Sequence, residues 1–347
     1  MPSPIARYTR LICLLGLSIV FAGPGPGALA EEAQLRDRQV PYLTLRNRTG
    51  SDDPGEIYGD ERSDLKAGWC MVRDLDLGAL TPLSEAMPVY VREEFLRTQS
   101  IREDRVAAVL DSVEATAGDG RVQLYVHGYY ISFEKGCRRA VLLQENAGLA
   151  GRFLWFSWPS DGALTNYTHD EADLYWSVPD MADAILEMER RLGDDRINVI
   201  GHSLGARGVV LALYEVATRK PDIRLGNVVL LAPDMDFQIF QRILPRIAPI
   251  AETITIYATN GDRPLALSAQ LHGYPRLGEA ENDFSQLDPV EVIDLSDLPV
   301  ESPTGHLYHI HSNAVGDDLN QLLNEGKRAA DRRKLVRTGN NTWKMQP

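Results

Sequence analysis

Residues 197–217 read INVIGHSLGARGVVLALYEVA. A short apolar, β-branched run (197–200) passes through Gly201-His202-Ser203-Leu204-Gly205 into a stretch with helical periodicity. The pentapeptide G-x-S-x-G recurs by chance in unrelated turns, so the context carries the meaning. Between a strand and a helix, the serine occupies a strained turn, the glycines let the two backbones approach, and the hydroxyl is held above the sheet. Ser203 is therefore the candidate nucleophile.

A serine hydroxyl is a poor nucleophile at neutral pH. It needs a histidine to take its proton and an acid to orient that histidine. In this architecture the order is Ser, acid, His, each just after a later strand. The run TITIYAT (253–259) leads into Asn260-Gly261-Asp262-Arg263, and VEVIDL (290–295) is followed by SPTGHLY (302–308). Asp262 and His306 are the expected partners. Asp234 and Asp236, in APDMD, are the alternative acids, Asp234 the stronger of the two. His309 and His311 lie close to His306 but fall where a helix resumes, whereas His306 follows a glycine in a turn.

Similar runs recur outward in both directions: RVQLYV (121–126), RFLWFSW (152–158) and NVVLLAP (227–233), each followed by a turn and a helical pattern. Near-continuous apolar strands separated by helices predict an α/β fold, with a mostly parallel central sheet covered by helices on both faces. Functional groups then gather at the carboxyl ends of the strands. RVQLYV runs into His127-Gly128-Tyr129-Tyr130. The backbone N–H groups of Tyr129 and Leu204 are the expected oxyanion donors, with His127 structural. Residues 31–118 read as polar and irregular, ending in a helix over 101–117; residues 119–323 read as the core, and 324–347 as a helix end and loose tail.

Residues 1–30 read as an export signal. Arg7 and Arg10 precede the apolar stretch LICLLGLSIVFAG (11–23), and Ala28-Leu29-Ala30 supplies small residues for cleavage after Ala30. The stretch is shorter than the roughly 18–20 apolar residues that span a bilayer, and no later segment is long enough. Export places Cys70 and Cys137 where thiols pair, although spacing alone leaves two buried free cysteines equally open. The 347 residues carry 49 Asp+Glu against 36 Lys+Arg, a net charge of -13. Such a surface repels a polyanion, which excludes nucleic acid as a partner.

Near the end of the RFLWFSW run, Trp158, Tyr167, Tyr175 and Trp176 either line an acyl pocket or pack an ordinary core. His169, Asp170, Glu171 and Asp173 read as a solvated helix start, not a metal site. Arg207 is expected to pair with a neighbouring carboxylate.

YVHGYYISFEKGCRRAVLL, FLWFSWPSDG, NVIGHSLGARGV, LLAPDMD, YATNGDRPLALS and TGHLYH together resemble a bacterial group of α/β-hydrolases of unknown function, often labelled esterase or lipase-like. The resemblance runs from about residue 45 to 323 and takes in the polar N-terminal stretch. It implies the serine-hydrolase fold and a Ser203, Asp262, His306 triad. Tyr130 departs from it, standing where Asn is expected. The resulting expectation is an exported serine hydrolase acting on small-molecule or lipid-like carboxylic esters, needing no cofactor. An acyltransferase or thioesterase using the same triad, and a non-catalytic binding module on the same fold, are the alternatives.

Overall fold

The six apolar runs form the middle of one sheet in the computed structural model, which describes residues 37–75, 91, 93–163, 165–302 and 304–347. The expected signal, residues 1–30, lies outside the described residues. Strands β4 (Val122–Val126), β5 (Phe153–Ser157), β6 (Ile197–His202), β7 (Leu225–Leu231), β8 (Ala251–Ala258) and β9 (Glu291–Asp294) lie in the order β9-β8-β7-β6-β4-β5. Every neighbouring pair is parallel. Successive side chains on a strand point to opposite faces, so a strand without polar alternation must be covered twice. In β7, Val228 and Leu230 enter one core while Val229 and Leu231 enter the other. The first core is covered by α1 (Val106–Ala117), α3 (Tyr167–Leu192), α4 (Leu204–Arg219) and α5 (Phe237–Ile247). The second is covered by α2 (Phe133–Asn146), the single-turn α7 (Tyr308–His311) and α8 (Asn313–Leu323). Helix α6 (Arg263–His272) follows β8.

A buried polar row crosses the strands near their amino ends. Asn198 Nδ2 donates to Gln123 Oε1 at 2.8 Å, Asn227 N to Asn198 Oδ1 at 2.6 Å, and Thr253 Oγ1 to Asn227 Oδ1 at 2.7 Å. Each partner is satisfied only in this register, because a slip by one residue would strand polar groups in the core.

Both ends of the chain differ from the sequence reading. The described part of the polar stretch is not irregular: it forms β1 (Asp37–Arg48), β2 (Tyr58–Asp74) and β3 (Leu96–Asp104). β1 pairs parallel with β5, and β2 and β3 add antiparallel beyond it. Turn-forming residues crowd the β1–β2 connection and the start of β2, and most of β3 is exposed, which hides the apolar alternation. Residues 101–104 belong to β3, so the expected helix begins later, at Val106. The terminal residues are not a loose tail either. β10 (Leu335–Arg337) and β11 (Thr342–Met345) form a hairpin whose second strand pairs parallel with β9. Arg332, fully buried, anchors it by donating to Asp318 Oδ2 at 2.7 Å, Tyr257 Oη at 3.0 Å and Glu291 Oε2 at 3.2 Å.

Cys70 in β2 and Cys137 in α2 are joined by a disulfide, with Cα atoms 6.4 Å apart, within the usual bridging range. No helix among the described residues is long and apolar enough to cross a membrane.

Candidate active site

Ser203 sits between β6 and α4 at φ 53°, ψ −123°, a left-handed region that non-glycine residues rarely occupy. The surroundings enforce it. Ser203 N donates to Leu231 O at 2.9 Å, while its own carbonyl accepts from Ala206 N at 3.0 Å and Asp234 N at 3.1 Å. The flanking glycines permit the packing: a Cβ on Gly201 would lie 2.5 Å from Ala206 Cα, and one on Gly205 would lie 2.1 Å from His127 O. Leu204 N–H, next in the chain, lies in the first turn of α4, where backbone N–H groups lack intrahelical partners.

Asp262 caps α6, accepting from Leu265 N at 3.0 Å through Oδ1, and its Oδ2 lies 2.5 Å from His306 Nδ1. The carboxyl is almost fully buried and the imidazole slightly open. One glycine makes the approach possible. Gly305 has φ 66°, and a Cβ there would lie 2.5 Å from Gly261 O, so the turns carrying acid and histidine abut. His306 O faces His202 Nε2 at 3.1 Å and the two rings stand 4.6 Å apart, which brings the imidazole beside the residue preceding Ser203.

Asp234, Asp236 and His311 are engaged elsewhere. Asp234 accepts from Tyr167 Oη at 2.5 Å and Ser268 Oγ at 2.7 Å, and pairs with Arg207 and Arg276, each at 3.4 Å. Asp236 caps α5 through Ile239 N. His309 is buried with its ring 4.2 Å from that of His202, and His311 faces Glu93 at 3.3 Å.

A Cβ on Gly128 would lie 3.0 Å from Ser203 Cβ, so the backbone of the loop after β4 reaches Ser203, with Tyr129 next in the chain. Tyr130 has φ 65°. Asn tolerates that conformation better than other side chains, which explains why Asn is expected there. Trp158 does not line a pocket. It is fully buried beneath the loop, stacked on His127 at 5.1 Å, and its Nε1 donates to His127 O at 2.8 Å. Tyr167 is half-buried, its ring edge-on to Tyr129 at 5.1 Å. Tyr175 and Trp176 are exposed, and the Arg62 guanidinium covers Trp176.

The start of α3 is not a solvated cap. Asp170 and Asp173 are buried; Glu171 pairs with Arg207 and, at 3.1 Å, His272. Asp161, His169 and Asp170 have ligand atoms within 4.8 Å of one another. The carboxylate of Asp170 is, however, filled by Ser160 Oγ, Asp161 N and Tyr130 N. Burial pushes the His127 imidazole down to about 3, with the buried Arg46 cation adding to it. Burial also drives His202 and His309 well below the usual histidine range, helped by neighbouring imidazoles. Asp170, Ser160 and Arg46 escape sequence reading because their partners lie up to 114 positions away in the chain.

A family model described as "Alpha/beta hydrolase of unknown function (DUF900)" matches residues 102–325. No curated protein matches the sequence. Among solved structures, a predicted CIB-like hydrolase from Thermoplasma acidophilum is 15% identical, covering 60% of this chain and 88% of that one at a TM-score of 0.35. An esterase from Pyrobaculum calidifontis is 11% identical, covering 84% of this chain and 86% of that one at a TM-score of 0.35.

Proposed function

This chain belongs to the DUF900 family of α/β hydrolases of unknown function, and we propose that it is an exported serine hydrolase cleaving carboxylic esters. The observation that carries this reading is the strained Ser203 between β6 and α4, followed in the chain by an Asp262–His306 pair at 2.5 Å.

Ser203 Oγ attacks the acyl carbon while His306 Nε2 takes its proton, and Asp262 steadies the resulting imidazolium. The negative charge that develops on the carbonyl oxygen is met by the N–H groups of Tyr129 and Leu204. As the tetrahedral adduct collapses, His306 returns the proton to the leaving alcohol. Water, deprotonated by His306, then attacks the acyl-enzyme and releases the carboxylic acid and Ser203. The net charge of -13 favours neutral, small-molecule or lipid-like esters over polyanions. The Cys70–Cys137 bond supports export, because such bonds persist in oxidising compartments.

The test is a fluorophosphonate probe on the full chain beside Ser203→Ala. Labelling lost in the variant is the expected result; a folded wild type that stays unlabelled would refute the reading.

A further inference from the structure

The peptide groups just beyond Tyr129 are held entirely by side chains from other parts of the fold. Tyr130 N donates to Asp170 Oδ2 at 3.2 Å, and Ile131 N donates to Ser160 Oγ at 3.0 Å. Ser160 Oγ donates in turn to the same Asp170 oxygen at 2.5 Å. Ile131 O and Ser160 O accept from Arg46 at 2.6 and 2.7 Å, and Arg46 Nε donates to Ser157 Oγ at 2.9 Å. Asp170 comes from the first turn of α3, Ser160 from the loop after β5 and Arg46 from β1.

Two features show that this is more than helix capping. Asp170 is fully buried, and a buried carboxylate is costly unless its acceptors are filled. Its oxygens turn outward, to Tyr130 N, Ser160 Oγ and Asp161 N at 2.9 Å, away from the first N–H groups of its own helix. The loop it holds also contains Tyr130 at φ 65°. A bulky residue keeps that conformation only where the surroundings over-determine it.

We propose that Asp170 is a positioning residue for the oxyanion site: acting through Ser160 and the Tyr130 N–H, it fixes the loop so that Tyr129 N–H faces the reacting carbonyl. This rests on the reading that Tyr129 and Leu204 hold the oxyanion. The donor itself touches substrate; Asp170 does not. Asp170→Asn puts an amide N–H₂ group against N–H and O–H donors, and Ser160→Ala removes the link between Asp170 and Ile131.

The test uses the full chain with Asp170→Asn, Ser160→Ala and both together. It reads kcat and KM on a short-chain p-nitrophenyl ester and the inhibition constant of an alkylboronic acid, whose tetrahedral adduct with Ser203 places an oxygen in the oxyanion site. Losing one oxyanion donor costs about 100- to 1,000-fold in kcat, so a displaced donor is expected to cost roughly 10- to 100-fold. KM should stay within about threefold, because the interaction belongs to the transition state. Boronate affinity should fall in proportion to kcat, and the double variant should be little worse than Asp170→Asn alone. A folded Asp170→Asn with unchanged kcat and boronate affinity overturns the proposal, as does a loss in KM alone. If Asp170→Asn fails to fold, Ser160→Ala carries the same comparison. A wild type unlabelled by fluorophosphonate brings down the hydrolase reading and this proposal together; a labelled wild type with unimpaired variants brings down this proposal alone.

Discussion

His306 Nδ1 faces Asp262 Oδ2 at 2.5 Å, whereas Asp234, one strand earlier, is bound to Tyr167, Ser268 and two arginines. The two carboxylates therefore sit in different surroundings, and their substitutions should separate. Asp262→Asn is expected to lower kcat by about 10⁴, as loss of a triad acid does elsewhere, with little change in stability. Asp234→Asn leaves buried cations short of a partner and is expected to cost about 3 kcal/mol of stability, with the folded fraction still turning over ester. Paired melting curves and initial rates check this; the reverse pattern would transfer the orienting role to Asp234.

Gly205 and Gly128 pack near Ser203 from two sides, and their substitutions should fail differently. A Cβ on Gly205 meets the backbone oxygen of His127 at 2.1 Å, and that oxygen is fixed by Trp158. Gly205→Ala is expected to lose about 3 kcal/mol in denaturant titration. A Cβ on Gly128 meets His202 Nδ1 at 2.9 Å and Ser203 Cβ at 3.0 Å. Gly128→Ala should cost less in stability but roughly 100-fold in kcat, because it displaces reacting groups.

Three buried imidazoles make the fold sensitive to mild acid. His127 is held at about 3 by burial and Arg46, and His202 and His309 are shifted the same way by burial and neighbouring imidazoles. An unfolded histidine protonates near 6.5. Below that pH the unfolded chain gains protons that the native chain refuses, so stability falls as pH drops toward 3, by up to about 1.4 kcal/mol per pH unit per ring. The urea midpoint should decline measurably between pH 7 and 5. His309→Leu should flatten the decline; an unchanged slope would contradict the assignment.

The Cys70–Cys137 bond closes a loop with a sequence separation of 67 and ties β2 to α2. Loop entropy alone puts its loss at about 4 kcal/mol. Cys70→Ala with Cys137→Ala should lower the melting midpoint of the full chain accordingly. Both sulfurs are fully buried, so dithiothreitol should act on the native wild type only as fast as the chain opens, which a time course of thiol release would show.

What could be read from the sequence is what local chemistry dictates. Apolar runs at 121–126, 197–203 and 253–259 match β4, β6 and β8 within two residues at each end, because strands buried on both faces are predominantly apolar. Gly305 before His306 was a usable signal, since that turn needs its positive φ. Arg46 is opaque: a cation in a polar stretch reads as solvated, and its burial is made tolerable by Gly59 together with distant Ser157, Ser160 and Ile131. The end of the chain carries a faint signal. Trp343 and Met345, two apart, both enter the core from β11, but four residues are too few for alternation to stand out beside RTGNN.

The sheet runs β10-β11-β9-β8-β7-β6-β4-β5-β1-β2-β3, whereas the family match spans residues 102–325. That match opens inside β3 and closes before β10, so the matched segment leaves out β1, β2 and the β10–β11 hairpin. Cut to it, the polypeptide would lose Arg46, one half of its disulfide and the partners of β5 and β9, leaving two bare, sticky edges. A domain excised along the matched borders would arrive without the strands that frame its sheet.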